Sequence, residues 1–268
     1  MKIISFRKAM RSVLFSYLLI LVVLPISAVY VRGFSLGWEP FWKEVSGVIA
    51  WKAILLTLKL SILATFIQAV IGTFIAFVLV RYRFLGNRLL NSMVDLPFSL
   101  PTAVSGLMLL SLLGPQSPIG NWLGSIGINL LYNQAAIMIG MVFITFPFVI
   151  RTVQPMFEQL DPFEEQASYT LGAGKVFTFF NILLPSVFPS IIAGSMLAFS
   201  RALSEFGAIS LISGNLPGKT QVASVFIYGE IQNYNTQGAA AVSIILITIS
   251  LFALCLVNFF QKRRRTKI

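Results

Sequence analysis

Long runs of apolar residues follow one another along the chain, separated by shorter stretches that are more polar. Each run has roughly 20 residues, the length that a helix needs to cross about 30 Å of hydrocarbon. A soluble helix of this length would carry a polar face, and these runs lack one. The pattern predicts an all-α membrane protein of about six spans, at residues 13–31, 54–80, 89–113, 134–150, 185–203 and 239–260.

Composition and charge support this prediction. Of 268 residues, 57% are apolar and 11% are charged, a balance more apolar than one soluble core can bury. The net charge of +11 comes from lysines and arginines that flank the runs, so membrane orientation explains it without nucleic acid. We therefore expect a multi-pass protein of the cytoplasmic membrane, embedded in the lipid bilayer. Both tails, 1–12 and the basic 262–268, would be cytoplasmic, on either side of a membrane domain at 13–261.

The first run permits a second interpretation. A basic segment, an apolar stretch and the small residues Ser27 and Ala28 also resemble a cleavable signal peptide. Ile26 fits the small-x-small cleavage pattern poorly. A retained span is favoured, and cleavage stays open.

The third run is irregular, because it contains the stretch DLPFSLPTAVSG with Asp95, Pro97 and Pro101. Proline frees backbone groups that lipid cannot satisfy, so this stretch is expected to pack against protein or to face a watery path. A kinked structural helix and a pore-lining segment both remain open.

The residues needed for covalent chemistry are scarce. Cys255 is the only cysteine and histidine is absent, which removes an intrachain disulfide and the commonest general base. The stretch GNLPGKT at 214–220 lacks the first glycine of a phosphate loop at the required spacing. We therefore predict no catalytic residue, no metal site and no cofactor in this chain. An ion-coupled transporter or an intramembrane enzyme would need acidic or catalytic groups in mid-span, whereas Asp95 and Glu205 lie near predicted span ends.

Residues 152–184 form a long stretch that is too polar to span a membrane. From Glu164 to Pro185 it reads EEQASYTLGAGKVFTFFNILLP, which predicts two short helices joined by a turn at 172–174, with Pro185 bounding the second. The order of the six spans places this stretch in the cytoplasm. On physical grounds it could be an interfacial hairpin or a docking knob for a soluble partner.

This stretch resembles a loop of known form: Glu-Ala-Ala, three residues, Gly, nine residues, Ile-x-Leu-Pro. The glycine and the Ile-x-Leu-Pro match at that spacing, whereas Gln166-Ala167-Ser168 replaces the triplet and Glu165 falls one residue early. The loop is typical of the membrane subunits of bacterial and archaeal ATP-binding-cassette importers. The resemblance implies an importer permease fold in which this loop is a coupling helix. Its candidate residues are Glu164, Glu165, Gln166, Ala167, Ser168, Leu171, Gly172, Ala173, Ile182, Leu184 and Pro185.

The same resemblance implies partners. In that family the loop sits in a cleft of a separate ATPase, so two ATP-binding subunits would hold ATP and Mg²⁺. A second permease chain, identical or homologous, would complete the pore. An extracytoplasmic anion-binding protein would deliver the substrate, which would cross by alternating access.

Three further stretches narrow the expected substrate. FSRALSEFGAISLISGN at 199–215, DLPFSLPTAVSGL and FPFVIRTVQP resemble permeases for sulfate and thiosulfate, whereas NLPGKT is closer to molybdate and tungstate permeases. Sulfate or thiosulfate is the expectation and molybdate or tungstate the alternative. Arg201 could attract an oxyanion, or it could form a structural ion pair with Glu205 four residues later. The pore or gate candidates are Ser99, Pro101, Thr102, Ser105, Arg201, Ser204 and Glu205.

Overall fold

The computed structural model describes the backbone of residues 2–265 and the side chains of residue 8 and residues 10–256. Residues 266–268 of the predicted basic tail lie outside the described residues, as do the side chains of 262–265. The described backbone forms fifteen α-helices: α1 Lys2–Leu18, α2 Leu24–Gly33, α3 Trp38–Ser46, α4 Val48–Arg81, α5 Asn87–Met93, α6 Leu96–Ser99, α7 Thr102–Leu113, α8 Pro118–Ser125, α9 Gln134–Gln159, α10 Pro162–Thr170, α11 Lys175–Thr178, α12 Leu184–Leu203, α13 Gly207–Ile212, α14 Ala223–Gln232 and α15 Thr236–Arg265. Two π-helical turns, Leu19–Val23 and Phe179–Leu183, join α1 to α2 and α11 to α12.

Five helical segments within the described residues are long and apolar enough to cross a membrane: Met10–Gly33, Val48–Arg81, Gln134–Gln159, Lys175–Leu203 and Thr236–Leu256. A sixth crossing is formed if Asn87–Ser99 and Thr102–Leu113 are counted together. The prediction of an all-helical membrane protein of about six spans is therefore confirmed.

The centre of the bundle consists of α4, α9 and α12, which pack against one another. The buried face of α4 carries small and polar residues, including Thr57, Ser61, Gln68 and Gly72, whereas many of its large apolar side chains point outward. This arrangement suits a lipid solvent, because small residues let helices approach closely and lipid covers the apolar face. Gln68 donates to the backbone oxygen of Val142 on α9 at 2.6 Å, which satisfies its amide inside the bundle.

Two groups of helices flank this centre. On one side α15 packs against α2, α3, α12 and α14. Where α2 is followed by α3, the rings of Phe34 and Phe41 stack, and Trp42 meets Trp38 and Phe41 edge-on. On the other side α7 packs against the short helix α13. These contacts hold the loop helices against the spans, so that α13 lies beside a span rather than in a free loop.

The third span is broken. Its first arm, Asn87–Ser99, and its second arm, α7, meet at an angle of 114°. Leu100 and Pro101 between them have extended backbones, because the proline ring disfavours a helical conformation in the residue before it. The first arm packs against α9 and α7 against α13, whereas Leu100 at the break is partly buried and Pro101 is exposed. Packing against protein and a watery path both stay open for this stretch.

The prediction that Pro185 bounds the second short helix of the polar stretch is wrong. Helix continues from Lys175 through Pro185 to Leu203, and the π-helical turn lies just before the proline. In this turn the Leu184 amide donates to the Phe179 oxygen, five residues back. This wider turn accommodates Pro185, which lacks an amide proton and whose ring would clash with the carbonyl four residues earlier. Helix α9, which forms the fourth span, likewise continues to Gln159, past the predicted span end at 150.

Candidate functional site

The polar stretch folds into a hairpin, residues 161–183, that projects from the end of α9. Asp161 caps α10 by accepting a hydrogen bond from the Phe163 amide at 2.9 Å, as aspartate commonly does at helix starts. After α10 the chain turns at Gly172, which has a φ of +84°. The amides of Gly172 and Ala173 donate to the oxygens of Tyr169 and Ser168, the two bonds of a Schellman motif. Gly172 is therefore required by backbone conformation.

A buried hydrogen bond closes the hairpin. The hydroxyls of Ser168 on α10 and Thr178 on α11 lie 2.8 Å apart, and Thr178 is fully buried. Thr178 also donates to the Gly174 oxygen at 3.1 Å. This contact fixes the angle between the two helices, which makes the hairpin a defined unit rather than a loose loop.

The hairpin exposes large apolar side chains. Leu171 at the turn is 88% exposed, Phe163 on α10 is 74% exposed and Val176 on α11 is 72% exposed. Phe177 is also exposed. Phe163 and Leu171 lie outside the spanning segments, and Val176 and Phe177 lie in the first turn of the segment Lys175–Leu203. Exposed apolar residues grouped in this way at the end of a bundle are typical of a protein interaction surface.

The hairpin is attached to the end of α4. Glu165 on α10 lies 3.2 Å from the Arg81 Nε atom and accepts a hydrogen bond from the Tyr169 hydroxyl at 2.9 Å. Partial burial, together with the neighbouring Glu165 carboxylate, raises the pKa of Tyr169. Phe77 of α4 packs edge-on against Phe179 with ring centres 4.8 Å apart. Movement of the hairpin would therefore act directly on the end of α4.

The predicted coupling residues fall into two groups. The structure leaves one group exposed and buries the other partly or fully. The exposed residues are Glu164, Gln166, Ala167, Leu171, Gly172 and Pro185, and the others are Glu165, Ser168, Ala173, Ile182 and Leu184.

The predicted pair of Arg201 and Glu205 is present, with Nη1 and Oε2 2.7 Å apart. Glu205 is 1% exposed, and its other carboxylate oxygen accepts from the Ala208 amide at 2.9 Å, which caps α13. Its backbone oxygen accepts from the Ser224 hydroxyl at 2.6 Å. Glu205 thus ties the end of α12 to α13 and α14, and Arg201 neutralises a buried carboxylate. This geometry supports the structural interpretation of the pair.

The hydroxyl candidates are spread over the break in the third span. Ser99 is exposed at the end of α6, while Ser105 is buried on α7 and directs its hydroxyl to the Pro101 oxygen at 3.5 Å. Thr102 touches Gly207 at the start of α13. Ser204 donates to backbone oxygens of its own helix, of Ser200 at 3.2 Å and of Arg201 at 3.1 Å. Thr102 thus contacts Gly207, which lies two residues after Glu205. Ser99 lies on the other side of the break, at the end of α6.

Sequence reasoning missed the close approach of α7 to α13. A Cβ atom on Gly106 would lie 2.7 Å from the Ala208 Cα atom, closer than side chains pack. Gly207 is equally confined by Thr102. Two glycines placed on facing helices of a membrane protein are a signal of close packing that the sequence did contain.

Sequence reasoning also missed an ion pair between Asp95 and Arg151, with Nε and Oδ1 2.6 Å apart. Within the described residues, no group of three or more His, Cys, Asp or Glu side chains is placed to hold a metal ion.

Comparison with known proteins defines the class. Residues 68–266 match the family described as the binding-protein-dependent transport system inner membrane component. The match spans most of the chain, so the protein belongs to this family. It is a permease subunit of an ATP-binding-cassette transporter and not an enzyme.

Curated relatives indicate which type of permease this chain resembles. The probable sulfate transport system permease protein cysT of Chlorokybus atmophyticus is 37% identical over 92% of this chain and 86% of the relative. The sulfate transport system permease protein CysT of Escherichia coli strain K12 is 38% identical over 92% of this chain and 89% of the relative. The resemblance to sulfate-type permeases is therefore confirmed at the level of the family.

Solved structures agree on the fold. A bacterial ABC transporter involved in the import of the acidic polysaccharide alginate contains a chain that superposes with a TM-score of 0.81. The match covers 98% of this chain and 96% of that chain at 19% identity. At this identity the likeness concerns the fold alone, and it confirms the importer permease architecture.

Proposed function

We propose that this chain is the pore-forming permease subunit of an ATP-driven importer that moves sulfate or thiosulfate into the cytoplasm by alternating access. One observation carries the proposal: a chain related to sulfate permeases projects a defined hairpin with exposed apolar side chains from the end of a spanning helix. Pores of secondary transporters need no such docking segment.

The hairpin is the proposed coupling element. Leu171, Val176 and Phe177 would enter the cleft of an ATPase subunit, where apolar burial stabilises docking. Closure of the ATPase pair would then push on the hairpin and, through the Glu165 to Arg81 contact, on α4. ATP and Mg²⁺ would be bound by two ATP-binding subunits, and this chain would hold no cofactor of its own.

The proposed orientation rests on the same contact. Because Arg81 touches Glu165, the basic segment that continues with Arg83 and Arg88 lies on the same side of the bundle as the hairpin. Basic segments mark the cytoplasmic side. With six crossings, both termini would lie in the cytoplasm.

Two further partners belong to the proposal. None of the residues in the most apolar part of Met10–Gly33 is buried, so this span would face lipid or a second permease chain. An anion-binding protein would dock on the opposite, outer side, near the exposed indoles of Trp38 and Trp42.

Molybdate or tungstate is the alternative substrate, favoured by the stretch NLPGKT. That stretch forms a tight turn in which Gly218 has a φ of +71° and the Thr220 hydroxyl accepts from the Leu216 amide at 3.0 Å. It forms the connection between α13 and α14, which gives it a structural purpose independent of the anion.

Uptake in cells tests the proposal. A bacterium lacking its own sulfate permeases would express this chain together with its ATPase, partner permease and anion-binding protein. We expect uptake of radiolabelled sulfate that thiosulfate inhibits and equimolar molybdate does not. Uptake blocked by molybdate but not by thiosulfate would favour the alternative, and uptake that persists without the ATPase would contradict an ATP-driven importer.

A further inference from the structure

Two sequence stretches that mark the sulfate-type resemblance meet in the structure. Asp95 begins DLPFSLP in the third span, and Arg151 ends FPFVIR in α9. Their side chains form a two-pronged ion pair, in which Nε donates to Oδ1 at 2.6 Å and Nη2 to Oδ2 at 2.7 Å. The two residues are 56 positions apart in the sequence.

Every nitrogen of the Arg151 guanidinium is engaged. Nη1 donates to the side-chain oxygens of Asn91 and Gln154, both at 2.8 Å, and Nη2 also donates to the Asn91 backbone oxygen at 2.5 Å. Such a set requires the planar fork of arginine, because a lysine ammonium presents one point charge. The arrangement is more specific than charge neutralisation needs.

The ion pair joins two elements of the permease that are distant in the sequence. Asp95 lies between α5 and α6, in the first arm of the broken third span, which is bent by 114° from α7. Arg151 lies in α9, which continues to Gln159 and leads directly into the hairpin at Asp161. Asp95 and Arg151 therefore connect the helix that carries the hairpin to the arm of the broken span.

Apolar contacts add to the connection. Val94 packs in the same buried cluster as Val149 and Ile150 of α9, and the rings of Phe98 and Phe148 meet edge-on with centres 5.0 Å apart. The arm thus contacts α9 on both sides of Asp95.

We propose that Asp95 and Arg151 form a clamp that makes the first arm of the third span move with α9, so that displacement of the hairpin reaches the break at Leu100 and Pro101. Both are positioning residues, and neither is assigned a contact with the anion. This inference rests on the proposed coupling function of the hairpin.

The test measures coupling in the complete transporter, reconstituted into vesicles with its ATPase, partner permease and binding protein. The variants are Arg151→Lys and Asp95→Asn, and the matched control is Arg83→Gln, which removes an exposed arginine from the adjacent connection. We expect both clamp variants to assemble and hydrolyse ATP while sulfate taken up per ATP falls about three- to fivefold, because the ion pair is partly exposed and solvent weakens it. The control should retain the wild-type ratio.

A rescue experiment separates transmission from a local folding role. In the Arg151→Lys chain with Cys255→Ser, cysteines replacing Phe98 and Phe148 would be joined by a short thiol cross-linker. Restored uptake per ATP supports the clamp, because the arm is again held to α9.

Two outcomes would overturn the clamp: an unchanged uptake per ATP in both variants, or failure of both variants to assemble. In the second case the pair serves folding only. Failure of the proposed function gives a different result: the wild-type complex in the same vesicles would then take up no sulfate. If only the clamp is wrong, the wild-type complex takes up sulfate normally.

Discussion

Replacing Gly172 with valine is expected to remove most transport while leaving the chain in the membrane. Gly172 closes the hairpin with a φ of +84°, a conformation that L-residues rarely adopt. A Cβ atom at this position would meet no other atom within 4 Å, so the cost of the substitution comes from the backbone and not from a clash.

The magnitude follows from that backbone conformation. Placing an L-residue in the left-handed region costs about 1–2 kcal/mol, and a β-branched valine costs more than alanine. A loss of 1–2 kcal/mol lowers the ratio of folded to unfolded hairpin by about 5- to 30-fold. Asparagine tolerates the left-handed region, so Gly172→Asn is expected to lose less activity than Gly172→Val.

The assay combines sulfate uptake with recovery of the ATPase on the purified permease. The matched control is Gly174→Ser, because Gly174 lies in the same turn with an ordinary φ of −79° and also has open space around it. Serine suits the start of α11, so this variant is expected to transport normally. Wild-type uptake by Gly172→Val, or an equal loss in Gly174→Ser, would show that the left-handed conformation at Gly172 does not control transport.

Three other substitutions test the remaining contacts. Glu165→Gln removes the charge that faces Arg81, whose Nε and Nη2 atoms are both buried without a hydrogen-bond partner among the described residues. We expect a loss of about 1 kcal/mol in hairpin stability, seen as faster proteolysis at the hairpin. Arg201→Ala leaves the buried Glu205 carboxylate without its ion pair at a cost of about 3–5 kcal/mol, so the amount of assembled complex should fall. Combination with Glu205→Gln should recover part of the assembled complex, whereas normal assembly with altered anion uptake would make Arg201 a pore residue. Gly106→Leu should force α7 from α13 and lower thermal stability by about 1–3 kcal/mol, whereas Gly124→Leu, where a Cβ meets nothing within 4 Å, should not.

The sequence was informative wherever a local pattern decides the structure. Apolar runs predicted the spans because lipid, rather than a protein core, selects them. The spacing around Gly172 predicted the turn of the hairpin, since a glycine after a helix commonly takes the left-handed conformation. Arg201 and Glu205 could be paired because residues four apart face one another on a helix.

Features that depend on tertiary packing were less visible. Hydropathy reports the lipid layer and not the ends of helices, so α9 and the helix through Pro185 extend further than the apolar runs did. The Asp95 to Arg151 pair joins residues far apart in the sequence, which no local period connects. Exposure of Leu171 and burial of Ser168 likewise depend on how α10 and α11 fold together.

ATP-dependent accumulation of sulfate in sealed vesicles tests the central claim most directly. The vesicles would contain this chain, its partner permease and the ATPase subunits, with ATP on the side that carries the hairpin and binding protein with radiolabelled sulfate on the other. We expect accumulation that requires hydrolysable ATP and that is largely lost when Gly172→Val weakens ATPase docking. Accumulation driven by an ion gradient without ATP, or unaffected by loss of the ATPase, would contradict it.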